Sequence, residues 1–155
     1  MITTGRYDIG ADRWVACIRA FAFAGVDFTG ATFAAQVRLL PDAGGSPLVN
    51  LATVGSGASE GLYLAYAGTA TVATHIAAGR LTEAQADAAG YASGDSLLLS
   101  SVGLRINETT MEGLPFPAEV GDDALLYWDM HITPSGGIKD KYLGGTFTVR
   151  SGVTQ

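Results

Sequence analysis

Cysteine is nearly missing from this chain. Cys17 is the only one in 155 residues, so no intrachain disulfide can form and the fold must stand on packing. Cations are scarce as well: nine Lys and Arg face fifteen Asp and Glu, for a formal net charge of −6. The nine are scattered along the sequence, which argues against nucleic acid or an anionic bilayer as partner, since both reward clustered positive charge. Long apolar runs are missing too, none approaching the ~20 residues that cross a bilayer. Residues 1–6, Met-Ile-Thr-Thr-Gly-Arg, lack the apolar core of an export signal, so a soluble protein that is not exported is expected. Charged residues reach only 15% against 48% apolar, which excludes disorder, because such a chain can bury enough surface to offset ordering entropy.

Glycine, by contrast, is plentiful at 21 residues, and much of it falls between alternating segments, as turns in an all-β domain require. The clearest segment lies near the end of the sequence. Leu126, Trp128, Met130 and Ile132 alternate with Tyr127, Asp129, His131 and Thr133, a period of two that marks a half-buried strand. Pro134, Ser135, Gly136 and Gly137 break it with turn chemistry. Leu143, Gly145, Phe147 and Val149 then alternate with Gly144, Thr146, Thr148 and Arg150, so the two runs predict an antiparallel hairpin.

Earlier, residues 14–23 are apolar on both alternating faces apart from Arg19, as a strand covered on both sides would be. Phe33, Ala35, Val37 and Leu39 alternate with Thr32, Ala34, Gln36 and Arg38, and residues 48–54 return as a hairpin partner across the turn formers of 41–47. A short strand at Leu62, Leu64 and Tyr66 follows. Residues 71–78 read as a short helix with Val72, His75 and Ile76 on one face and Gly79 as its stop, with a strand containing small residues as the alternative. At the next helix Thr82 caps, Gln85 completes the box, Leu81 staples onto Ala86, and Gly90 ends it. Leu98, Ser100, Val102, Leu104 and Ile106 give another strand, and the proline-bearing stretch 111–123 reads as an extended loop. Seven or so strands predict one domain over 1–155: an all-β, antiparallel β-sandwich of immunoglobulin-like kind, with a closed small barrel as the alternative.

Candidate chemistry is thin. His131 shares a strand face with Asp129 and Tyr127, but two ligands are too few for a metal, so both are expected in a structural or surface role. Glu119, Asp122 and Asp123 lack the spacing of a calcium loop. No Gly-x-Ser-x-Gly elbow is followed by an acid and then a histidine, and Gly55-Ser56-Gly57 lacks the lysine of a phosphate-cradling loop. Asn107-Glu108-Thr109 matches a glycosylation acceptor only incidentally. Cys17 is expected buried and inert, and Trp14, Trp128, Phe33 and Phe147 are expected to face the core. No catalytic residue, cofactor or metal is therefore assigned.

Three segments together resemble a known family: Val26-Asp27-Phe28-Thr29-Gly30-Ala31-Thr32-Phe33 through Val37-Arg38, then Leu126-Tyr127-Trp128-Asp129-Met130-His131-Ile132, then Gly144-Gly145-Thr146-Phe147-Thr148-Val149 with the ending Gly152-Val153-Thr154. Their order is similar to a β-sandwich domain from the tail-gene clusters of tailed bacteriophages and prophages, the amino-terminal domain of the baseplate upper protein. Phe28 and Met130 stand where that family usually has leucine. Residues 69–121 depart from its pattern and read as an inserted helix and loop region, with Tyr91 and Leu114 expected on its surface. The resemblance implies a virion structural protein, a tail, baseplate or fibre-attachment adaptor and not an enzyme, which would contact other tail or baseplate proteins as a symmetric homo-oligomer in the particle. The polar ends, residues 1–12 and 151–155, are expected to extend toward neighbours. A glycan-binding module using exposed Tyr63, Tyr91 or Tyr142 is the rival reading, and a capsid-decoration or neck position fits the same residues.

Overall fold

Two β-sheets stack face to face, and the strands that line the gap do so with alternate apolar side chains. The computed structural model describes residues 5–117, 119 and 121–151. Its elements run β1 (Gly5–Arg6), β2 (Ile9–Asp12), β3 (Cys17–Ala24), β4 (Thr32–Arg38), β5 (Val49–Ala52), β6 (Gly61–Thr71), α1 (Val72–Ala77), α2 (Glu83–Ala89), β7 (Ser96–Ile106), α3 (Glu108–Glu112), β8 (Ala124–Thr133) and β9 (Asp140–Arg150). The larger sheet is ordered β1-β9-β8-β4-β5, with β2 continuing β1 along the same side of β9, and the smaller is β3-β7-β6. An all-β sandwich is thus the architecture. Pairing between the named strands is antiparallel except at one edge, where β1 and β2 run parallel to β9.

The predicted hairpin is the pair β8–β9, with Leu126 opposite Phe147 and Asp129 opposite Gly144. On the other side of β8 lies β4, with Ala35 opposite Met130 and Gln36 opposite Asp129. Leu126, Trp128, Met130 and Ile132 of β8 and Phe33, Ala35 and Val37 of β4 are all buried in the gap, as their alternation requires. Phe28, fully buried, sets its ring edge-on to Phe23, Phe33 and Tyr142. The turn before it is held locally: the Asp27 carboxylate accepts from the Thr29 N–H at 2.8 Å, and Gly30 takes a left-handed φ of 74°.

Coverage on both faces belongs to β7 and not to residues 14–23. From β7, Val102, Leu104 and Ile106 enter the gap, while Leu97 and Leu99 join a second cluster with Val72, Leu81 and Ala86 beneath α1 and α2. The β3 strand begins only at Cys17 and turns Ile18 outward with 53% of its surface exposed. Trp14 lies in the turn before it, 42% exposed, instead of facing the core. Its neighbour Arg13 takes the buried place.

Both predicted helices are present. Thr71 caps α1 by accepting from the Thr74 N–H, and Thr82 with Gln85 forms the full capping box of α2, which ends at Gly90 with φ 79°. Leu81 and Ala86 pack in the same cluster, as a staple would. The loop expected from Met111 gives way at its start to α3, five residues whose Met111 is fully buried. Two strands were also not expected, since residues 5–12 pair within the fold as β1 and β2; the remaining chain-end positions, 1–4 and 152–155, lie outside the described residues. Residues 69–121 hold all three helices and also β7, the strand on which both layers pack. Leu114 is part of the main core and Tyr91 packs, half-buried, against the helical cluster, so neither marks a free surface there.

Candidate functional site

The residues singled out for chemistry stay apart. His75 is fully buried, its Nε2–H donating to Leu97 O at 2.9 Å while Nδ1 accepts from Arg80 Nη1 at 3.5 Å. It is a packing residue of α1. Cys17 is buried in the gap, and burial pushes its thiol pKa up, away from reactivity. Asp129 and His131 do meet on the outer face of β8, with Nδ1 3.6 Å from Oδ1. That distance suits an ion pair with an imidazolium but is too long for a hydrogen bond, and Oδ1 has no other hydrogen-bond donor. Among the described residues no three His, Cys, Asp or Glu converge on a point where a metal ion would sit.

The aromatic row needed for sugar stacking is not at Tyr63, Tyr91 or Tyr142. Tyr142 is buried among Phe23 and Phe28, its pKa raised by that burial. Tyr63 lies flat over the Gly103 backbone, where a β-carbon would come within 2.2 Å of its ring.

What the register does assemble is a groove of about 390 Å³ across the outer face of the larger sheet. Directly opposed residues share a face, so the pairings place Arg6, Gly144, Asp129 and Gln36 in one row and Thr146, Tyr127 and Arg38 in the next. Leu40, Pro41 and Asp42 from the β4–β5 connection wall one side, and Lys141 lies along the other lining. Gly144 keeps the floor low. The neighbouring Gly145 is required for a separate reason, since the chain between β1 and β2 crosses it and a β-carbon would come within 2.5 Å of Tyr7 O. That crossing is tied down by Trp128 Nε1 donating to Tyr7 O at 2.8 Å and by the Thr146 N–H donating to Asp8 Oδ1 at 2.9 Å. The Thr146 N–H, followed by Arg6, holds the Asp8 carboxyl below the usual aspartate range.

Arg38, in the groove, and Arg13, away from it, are among the arginines that hydrogen-bond only neutral acceptors. Arg38 donates from Nη1 to Ala43 O at 2.8 Å and Gly45 O at 2.9 Å, and from Nε and Nη2 to Gln36 Oε1 at 3.2 and 2.8 Å. It fixes the wall of the groove. Arg13, buried, donates to Leu114 O at 2.5 Å and Pro115 O at 2.8 Å, with its guanidinium 3.9 Å from the Phe116 ring centre. Burial lowers its pKa. Neither residue stands out in the sequence, because both act on carbonyls of loops that only the fold brings near.

Around the β2–β3 turn, Trp14, Val15, Ile18 and Phe116 leave large apolar side chains in water, and Leu39, Leu40 and Leu48 do so around the β4–β5 connection. Among the described residues no helix is long and apolar enough to cross a membrane. No protein-family model matches the chain, and no curated protein sequence matches it.

Proposed function

We propose that this chain is a structural subunit of a tailed-phage virion, an adaptor of the tail, baseplate or fibre-attachment region that works through protein contacts and not as an enzyme. One observation carries the reading. The three segments that resemble the baseplate upper protein's amino-terminal domain lie far apart in sequence, yet they include β4, β8 and β9, three adjacent strands of one sheet. Their matching residues act as determinants of that sheet: the Asp27–Thr29 turn, the inward face of β8, and Gly145 beneath the β1–β2 crossing.

The surface supports docking. Trp14, Ile18 and Phe116 at one site, and Leu39 and Leu40 at another, are the kind of side chains that a partner covers, and a stable interface buries on the order of 1,200–2,000 Å². In this reading the subunit is made in the host cytoplasm and repeats around the symmetric particle. Mass spectrometry of particles purified from the encoding phage or induced prophage tests it. A fixed copy number matching a rotational symmetry of the particle is the expected result. Absence of the chain from intact particles overturns the reading. Ile18→Asp and Leu40→Asp, both at exposed positions, should leave the fold intact and lower incorporation.

A further inference from the structure

We infer that the groove on the outer face of the larger sheet is a binding site for a short acidic saccharide. The inference stands apart from the assembly reading and does not depend on it. Three of the nine cationic residues of a chain with net charge −6 line this one groove: Arg6, Arg38 and Lys141. Arg38 is held in place by four hydrogen bonds to neutral acceptors, so its charge is fixed in direction and has no carboxylate against it among the described residues. Arg6 spends its Nε on Asp8 at 3.2 Å and keeps its side chain 75% exposed, with the Nη groups outside that contact. A carboxylate or phosphate group on the ligand is what such guanidinium groups recognise.

The anion must also carry hydroxyl donors. Asp129 sits between the cationic ends of the groove with its side chain 30% exposed, so the exposed edge of its carboxylate can accept from a ligand hydroxyl. Tyr127 supplies an aromatic body in the next row, suited to the C–H face of a sugar ring. The volume falls within the ~300–1,000 Å³ of ordinary small-ligand sites. A peptide fits less well, because β9, β8 and β4 are each paired on both sides and the floor therefore offers side chains and no free backbone ladder.

The test uses the full chain, isotope-labelled, titrated with a trimer of galacturonic acid while amide shifts are followed. Maltotriose serves as the uncharged sugar and hexaglutamate as the anion that is not a sugar. Saturable shifts confined to β1, β4, β8 and β9 are expected with the acidic trimer alone. Arg6→Ala, at a side chain 75% exposed, should weaken that binding about three- to tenfold through the lost charge-assisted contact, with thermal unfolding as the check on the fold. Tyr127→Ala should weaken it as well, with thermal unfolding as the check on folding. No saturable shift by about 10 mM, near the weak end of the affinity scale, overturns the proposal. So does equal binding of hexaglutamate, which would make the groove a general anion or acidic-peptide site, or equal binding of maltotriose. Unchanged affinity in Arg6→Ala overturns the assignment to this groove.

Discussion

Replacing Ser100 by alanine should cost far more than its size suggests. Ser100 lies on β7, fully buried, and its hydroxyl serves two backbone groups at once: it donates to Val26 O at 2.7 Å and accepts from the Phe28 N–H at 3.0 Å. These bonds seat the turn that carries Phe28 into the gap between the sheets. Alanine leaves a carbonyl and an amide without partners in a site from which water is excluded. An unsatisfied buried group costs about 1–3 kcal/mol, and two neighbours in one turn relax together, so a loss of about 2–4 kcal/mol is expected. In a chain of this size that lowers the thermal midpoint by about 5–15 °C. The adjacent Ser101 is the control. It is also buried and faces the other side of β7, and its hydroxyl makes no hydrogen bond among the described residues, so Ser101→Ala should change stability little. Urea unfolding of both variants, with hydrogen exchange at the Phe28 amide, reads the difference. Equal losses in the two variants, or a Ser100→Ala loss under about 1 kcal/mol, would refute the reasoning.

Arg13→Lys should destabilise the fold by about 1.5–3 kcal/mol in urea unfolding, because one ammonium cannot replace the fork that reaches both Leu114 O and Pro115 O from beneath Phe116. Thr82→Ala removes the capping box and should cost about 0.5–2 kcal/mol, seen as faster amide exchange in α2 before the sheets are affected. Acid should weaken the fold through Asp8 and Asp27, whose carboxyls hydrogen bonds hold below the ordinary value of 3.8. A folded-state pKa below the unfolded one favours the fold above the unfolded value and loses that contribution as pH falls through the folded one. The double variant Asp8→Asn with Asp27→Asn should therefore flatten the decline of the urea midpoint between about pH 4 and pH 2.

The strands legible in the sequence are those whose burial is one-sided and whose partners are near. Residues 126–133 and 32–38 alternate because one face meets the core and the other meets water, and both became central strands. The capping box at Thr82 and Gln85 was legible because a helix start is a local matter. Non-local features left no such mark. Ile9 and Ala11 give β2 only two inward positions, and its partner β9 is more than a hundred residues away, so periodicity could not show it. Two buried serines disguised the double coverage of β7, whereas the apolar run 14–23 imitated it although Trp14, Val15, Ile18 and Ala20 stand exposed. Trp14 was displaced outward by a buried arginine that needs only carbonyls. The groove was invisible for the same reason. Gln36, Arg38, Tyr127 and Asp129 each read correctly as the polar side of a strand, but only the sheet order places Arg6, Gly144 and Lys141 beside them.

The strand order also sets a timetable for synthesis. The smaller sheet is complete once Ile106 has been added, whereas the larger one has only β1, β2 and the β4–β5 pair until β8 and β9 arrive, the last of them ending at Arg150. A nascent chain therefore carries β3-β7-β6 with Phe21, Val102, Leu104 and Ile106 still lacking β8 and β9 across the gap. During that interval this apolar layer is a surface for a chaperone, or for a second nascent chain on the same message. Closing it waits on the hairpin, and β1 and β2, the first strands to be made, are the last to find their partner.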